Sequence, residues 1–277
     1  MRTQVGRAGA AERHMTESKV TFDDGAAYER FMGRWSRAVG AAFINWIAPP
    51  RNARWLDVGC GTGVFTQLVL DNCSPAAMTA VDPAAAQIEH ARRQSFATRA
   101  DFRIANAEAL PFPDRSFDVV VSALVVNFIP DRPRALREMR RVGGQDALVA
   151  AYVWDFAAGR SAAWPLLHGL RELDVEAPQP PGTDDTRIEA LTSLFEGAGL
   201  KEVDARPIDV TVVFPGFDDF WHSQIPPCTP HGKIVAALPD AARAKLAAVV
   251  RAKLPMGSDG SIAYSARANA IKGRVPR

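Results

Sequence analysis

The sequence predicts an α/β chain, doubly wound around a mostly parallel sheet. Three observations predict it. Short apolar runs alternate with helical patterns from Arg54 to about Val153. One of those runs, Phe117 to Val121 (FDVVV), is apolar apart from Asp118, as expected of a strand covered on both faces. The first run ends in a glycine-rich turn, Gly59-Cys60-Gly61-Thr62-Gly63, which opens a helical pattern.

The elements follow in order. Tyr28 to Ile47 predicts a helix, because Phe31, Trp35, Val39, Phe43 and Trp46 recur at spacings of three and four, and Pro49-Pro50 ends it. Arg54 to Val58 is the first strand. The helix after the glycine turn carries Val64, Phe65, Leu68 and Val69 on one side. Met78 to Val81 reads as a second strand, Ala84 to Ser95 as an alanine-rich helix and Asp101 to Ile104 as a third strand. Phe117 to Val121 is the fourth, Arg132 to Arg141 a helix, and Leu148 to Val153 the fifth. Beyond that the pattern loosens. Ala177 to Thr183 is a Pro/Gly-rich loop, Ile188 to Ala198 a helix ending at Gly199, and Lys201 to Arg206 and Asp209 to Phe214 are two extended pieces. Phe217 to Gln224 is aromatic-rich, Pro239 to Leu254 helical, and Ser261 to Ile271 a final strand.

A chain of 277 residues suits one domain with insertions. Residues 1–18, basic and without an apolar centre, read as a disordered tail rather than a secretory signal, and Met15 is an alternative start. Residues 19–277 read as one domain: a ligand-binding core over 50–154, cap and substrate segments over 155–260, and the last strand over 261–271. Thirty-three basic and 31 acidic side chains leave a net charge of +2, which disfavours a nucleic-acid partner. The basic run RPRALREMRR is read as a solvated helix face. Cys60, Cys73 and Cys228 show neither a disulfide framework nor metal spacing, so no metal is expected and the chain is expected to be cytoplasmic. No apolar run is long enough to predict a membrane span.

The turn carries the chemistry. Glycine allows backbone angles that other residues avoid and leaves the peptide open to a ligand, and the following helix offers unpaired N–H groups. A dinucleotide fingerprint is GxGxxG. Here the pattern is GxGxG, with Val64 where that fingerprint needs another small residue. Asp57, two positions before the turn, suits a ligand ammonium group. Asp82, about twenty residues past it, suits a pair of ribose hydroxyls. Together these favour a nucleoside that bears an amino acid over one that bears a pyrophosphate.

WLDVGCGTG, the acid in AVDPA, the segment ANAEALPFPDRSFDVVVS and the helix RALREMRRV resemble the class I S-adenosylmethionine-dependent methyltransferases. The likeness is to the branch that includes the ubiquinone and menaquinone biosynthesis methylases (methyltransferase type 11), and it spans about Tyr28 to Trp154. It implies a Rossmann-like seven-stranded sheet with the last strand antiparallel, and S-adenosyl-L-methionine as cofactor. It implies cofactor contacts at Asp57, Gly59, Cys60, Gly61, Gly63, Asp82 and the adjoining Pro83. Asn106, Ala107 and Glu108 would flank the adenine, with Ser122 to Leu124 beneath the cofactor. Two features depart from the pattern. Asn106 replaces a frequent Asp, and Gly143-Gly144-Gln145-Asp146 replaces a Pro-Gly-Gly turn, which leaves the end of the preceding helix open. Tyr28, Arg34 and Trp35 are candidates to close over the methionine end, with Trp35 as plain core the competing reading.

A methyl sulfonium needs alignment and dryness more than a particular catalytic group. Candidates for chemistry are His222 and Tyr152, with His168 and His231 as further histidines. Candidates for acceptor binding are Asn127, Trp154 and Trp221. The cluster Phe214, Phe217, Phe220 and Trp221 suits an apolar or aromatic small molecule, or equally the packing of a cap. A nicotinamide oxidoreductase and a non-catalytic S-adenosylmethionine binder are the competing functions.

Overall fold

A computed structural model describes residues 25–226 and 229–277, with side chains from residue 33 onward. The expected tail, the Met15 start, the side chains of Tyr28 and Phe31, and Cys228 lie outside the described residues.

The strands are β1 (Arg54–Val58), β2 (Ala77–Asp82), β3 (Asp101–Ile104), β4 (Phe117–Ala123), β5 (Gly143–Trp154), β6 (Lys201–Phe214) and β7 (Ile262–Arg274). They form one sheet in the order β3-β2-β1-β4-β5-β7-β6. β1 to β5 pair in parallel, while β7 lies antiparallel between β5 and β6. This is the doubly wound sheet that the alternating pattern predicts, with the last strand reversed.

Alternation along each strand feeds two cores. Trp55, Val119, Val121, Leu148 and Ala150 face one layer, and Leu56, Val58, Val120, Val149 and Ala151 face the other. Both faces are therefore dry, which is why Val119 to Val121 of β4 are all apolar, while Asp118 at the strand start pairs with Arg54 at the rim. Helix α1 (Gly25–Ile47) covers the first face beside α2 (Val64–Asn72) and α3 (Ala85–Arg92). Its Trp35, Val39 and Phe43 are fully buried, which settles Trp35 as core. The second face is covered by α4 (Arg132–Val142) and α6 (Ile188–Gly197), through Leu136, Met139, Leu191 and Phe195.

α4 begins where Asp131 accepts the Arg134 N–H at 3.0 Å, an N-cap that satisfies one orphan donor. It runs to Val142, and β5 begins at once at Gly143, which pairs with Phe117. No loop is needed where the family pattern has Pro-Gly-Gly. The basic run is also more than a solvated face, because α4 buries Ala135, Leu136 and Met139 on its other side.

The two extended pieces expected near residue 207 are one strand. β6 runs through Pro207, which pairs with Asn269 of β7. β6 is the edge of the sheet, where a residue without an N–H costs no second ladder. The remaining helices are α5 (Trp164–Glu172), α7 (Phe217–Gln224), α8 (Pro230–Ala237) and α9 (Asp240–Ala252). No helix among the described residues is long and apolar enough to cross a membrane.

Candidate functional site

The carboxyl ends of β1 and β2 meet at the glycine turn. Val81 at the end of β2 accepts the N–H of Gly59 at 2.8 Å and of Cys60 at 2.9 Å. Asp82 then accepts the Gly61 N–H at 3.0 Å with one carboxylate oxygen and the Ala84 N–H at 2.9 Å with the other. The acid past the turn thus holds the turn's shape, and each of its oxygens keeps a lone pair for a ligand hydroxyl.

The three glycines do different work. At Gly59 (φ +80°) a Cβ would lie 2.5 to 2.9 Å from Val125, and at Gly63 (φ +87°) it would lie 3.0 Å from Phe96. At Gly61 (φ +53°) it would meet nothing within 4 Å. The first and third glycines admit neighbouring protein, whereas the second leaves an open face. Gly59→Ala should therefore cost about 2 kcal/mol, from left-handed strain plus a clash with a short branched side chain. Gly61→Ala should cost only about 1 kcal/mol, from strain alone. Urea unfolding of the two variants measures the difference.

α2 starts at Gly63 without a side-chain cap, so its first N–H groups are left to a ligand. Beneath them Asp57 is fully buried. Its Oδ2 accepts the Thr66 hydroxyl at 2.7 Å, and its Oδ1 has no hydrogen-bond partner. Burial, opposed by the Thr66 hydrogen bond and aided by the nearby Asp82 carboxylate, pushes the Asp57 carboxyl up to about 7. Burial likewise raises Asp82, against its two backbone hydrogen bonds. Cys60 is raised well above an ordinary thiol by burial and by the Asp57 and Asp82 charges, so it stays protonated. A buried acid with one oxygen unanswered, under the free N–H groups of a helix start, suits a ligand that is a cation and an anion at neighbouring atoms. The amino-acid end of S-adenosylmethionine has that form. A pyrophosphate, anionic throughout, does not fit beside two carboxylates.

A family model of a methyltransferase domain matches residues 56–151. A malonyl-[acyl-carrier protein] O-methyltransferase from Erwinia pyrifoliae is 31% identical over 182 residues, 65% of this chain and 63% of that protein. One of the same name from Halorhodospira halophila is 39% identical over 97 residues, 35% of this chain and 33% of that protein. The chain thus spans less than two thirds of the length of these curated relatives. A phosphoethanolamine N-methyltransferase 2 from Haemonchus contortus, solved with S-adenosyl-L-methionine, superposes with a TM-score of 0.57 over 94% of this chain and 59% of that one, at 14% identity, a likeness of fold alone. Over residues 56–151 the chain matches an S-adenosylmethionine-dependent methyltransferase domain.

Other expected contacts of this methyltransferase domain fall around the same edge. Pro83 is exposed between Asp82 and α3. Asn106 is exposed, and its Oδ1 accepts the Glu108 N–H at 3.0 Å; Ala107 is buried. Glu108 accepts the Asp131 N–H at 2.7 Å, which ties this loop to the start of α4. The Ser122 hydroxyl is spent on the Val58 carbonyl at 2.9 Å and stitches β4 to β1. Leu124 takes a left-handed φ of 62°, and its N–H is held by the Tyr152 carbonyl at 2.8 Å.

The structure corrects three assignments. Tyr152 is 1% exposed and packed between the Phe43 and Phe65 rings, so it is a core side chain rather than a catalytic one. His222 is exposed, and its Nδ1 lies 2.7 Å from the Asp218 carbonyl on its own helix, so helical phase turns it outward. Arg34 does not wait for a ligand carboxylate. It pairs through both nitrogens with Asp219 of α7, at 2.5 and 3.1 Å, and pins α1 to the cap.

Trp221 is buried and stacks on Phe217, 5.9 Å between centroids. Trp154 is buried edge-on to Trp35 at 6.0 Å. Asn127 is buried, donates to the Pro181 carbonyl at 3.0 Å and leaves its Oδ1 without a partner. His168 sits 3.7 Å from Glu172. Burial lowers His231 to about 4, so it is neutral near pH 7. Thr66, Val81, Val125 and Asp219 were missed from sequence. Only their spatial neighbours give them a role, and no local spacing signals it.

Proposed function

We propose that the chain is an enzyme that transfers the methyl group of S-adenosylmethionine to a small-molecule acceptor by in-line displacement. The observation that carries this reading is the unanswered Asp57 Oδ1 beneath the uncapped start of α2. S-adenosylmethionine, when bound, supplies a methyl group already activated on a sulfonium.

In this reading Asp57 takes the cofactor's ammonium, directly or through water. The N–H groups at the start of α2 take its carboxylate, and Asp82 uses its remaining lone pairs for the ribose hydroxyls. Gly61 lets the cofactor lie against the turn. Asn106, Ala107 and Glu108 border the adenine, and Leu124 lies beneath the cofactor. The acceptor side belongs to the same edge of the sheet, because Asn127 follows β4, Trp154 ends β5 and Phe214 ends β6. Asn127 Oδ1 and the Trp154 indole N–H, both buried without partners, are available to orient an acceptor among aromatic walls. The segments over 155–260, held by the Arg34–Asp219 pair, supply the cover that excludes water.

An apolar or aromatic metabolite suits that lining. The relatives named for a malonyl carrier support a metabolite acceptor over a nucleic acid. The chain is incubated with methyl-labelled S-adenosylmethionine and, separately, a metabolite extract, RNA or DNA. Label should enter the extract with release of S-adenosylhomocysteine. Label in RNA or DNA alone, or no S-adenosylhomocysteine with any acceptor, rejects the reading. In thermal-shift assays S-adenosylhomocysteine should stabilise the fold and NAD should not.

A further inference from the structure

The basic run that forms α4 has no part in the cofactor turn. While α4 buries Leu136 and Met139, the arginines of its second half, Arg137, Arg140 and Arg141, gather at the far end of the sheet. There, with the turn before β4 and the start of β5, they enclose a cleft of about 340 Å³. Arg115, Arg137, Arg140, Arg141 and Arg277 line it, and Asp114 is the one acidic side chain among the lining residues.

The five arginines are not equivalent. Arg141 is committed to Asp114 at 2.7 Å, to Glu138 at 2.7 and 2.8 Å, and to the carbonyls of Leu110 and Phe112. It is a fixed wall. Arg277 pairs with Asp146 at 2.8 Å. Arg115, Arg137 and Arg140 are exposed, and no carboxylate pairs with them among the described residues. Basic groups in a last helical turn answer the negative helix end, which accounts for Arg140 and Arg141. It does not account for Arg137, nearly a turn earlier, or for Arg115, which joins them from another segment at a left-handed φ of 59°. Three uncompensated guanidinium groups around one concavity repel one another unless an anion sits among them.

We propose that this cleft binds a compact polyanion, the di- or triphosphate group of a small metabolite. The volume is that of a small-ligand site. Guanidinium forks match phosphate oxygens in pairs, where an ammonium offers only a point charge. The patch is confined, and a net charge of +2 over the chain provides no extended stripe for a nucleic-acid backbone. The cleft sits at the amino end of β5, whereas the glycine turn follows the carboxyl end of β1, roughly 25 Å away along the strands. It is therefore not the acceptor pocket, and the proposal stands whether or not the chain transfers methyl groups.

The probe is inorganic pyrophosphate, titrated calorimetrically into the full chain at constant ionic strength. One equivalent should bind saturably. Arg137→Ala with Arg140→Ala should weaken it at least about tenfold, and Arg115→Ala alone should weaken it measurably, since each removes charge-assisted hydrogen bonds. Affinity for S-adenosylhomocysteine should stay unchanged in both variants and so report an intact fold. Equal pyrophosphate affinity in all three proteins, or no saturable binding once ionic strength is matched, overturns the site.

Discussion

Asp57→Asn should weaken S-adenosylhomocysteine binding about a hundredfold, close to 3 kcal/mol. The substitution keeps the shape and the oxygen that accepts from Thr66, and removes only the charge that we propose meets the ligand ammonium. The unaltered protein should also show a pH dependence that the variant lacks. With the free Asp57 carboxyl at about 7, most molecules at pH 5.5 carry it protonated and must release that proton to hold an ammonium group. Affinity should therefore rise about tenfold between pH 5.5 and 7 in the unaltered chain and stay flat in Asp57→Asn.

The ligand-free protein should show the opposite trend. Burial raises this carboxyl above its unfolded value, so its stabilising contribution is complete below about pH 4 and is lost as pH rises through 7. The loss from this one group is on the order of 4 kcal/mol. Urea unfolding at pH 5 and pH 8 should show the unaltered protein falling relative to Asp57→Asn. A flat binding profile in the unaltered chain would remove Asp57 from the ammonium site.

Trp35→Ala should destabilise the fold by about 4 kcal/mol. Trp35 is fully buried and touches Trp154 at the end of β5, Phe214 at the end of β6 and Tyr264 in β7, with ring centroids 5.8 to 6.2 Å apart. One side chain thus joins α1 to three strands. Arg34→Ala, at the adjacent position, is the contrast. Its pair with Asp219 is partly exposed, with 49% and 36% of the two side chains accessible, so its loss should cost less than about 1 kcal/mol. Since Arg34 is engaged with the cap, its removal should also leave S-adenosylhomocysteine affinity within about twofold of the original. Calorimetric melting and ligand titration of the two variants check both expectations. A Trp35→Ala cost below about 1 kcal/mol would mean that α1 is not anchored by this contact.

The first half of the chain was legible because each of its signals is local. β1 and β4 fall where the apolar stretches fall, and α4 starts at its capping Asp131. The second half was not, because its signals are shared between segments. α5 contains Gly169, a poor helix residue, yet a Cβ there would lie 2.9 Å from Val250 and 3.0 Å from Leu246 of α9. That helix is set by close approach to a partner about eighty residues away, which no window along the chain contains. Pro207 reads as a break, and only the knowledge that β6 is an edge removes the objection. Tyr152 and His222 show the same limit at the site. An aromatic hydroxyl at a strand end and an imidazole beside a tryptophan look alike as candidates until packing buries one and turns the other to solvent.

By itself, then, the sequence determined the cofactor turn, its flanking acids Asp57 and Asp82, and the parallel core, because backbone freedom and apolar period are properties of neighbouring residues. Only the tertiary structure decided that Gly61 alone of the three turn glycines leaves open space, that one Asp57 oxygen goes unanswered, that Arg34 belongs to Asp219 and that Arg137, Arg140 and Arg141 line a cleft at the opposite end of the sheet. Each of those depends on which atoms of distant segments arrive within a few ångströms, and burial, not residue type, then sets their charge and their partners.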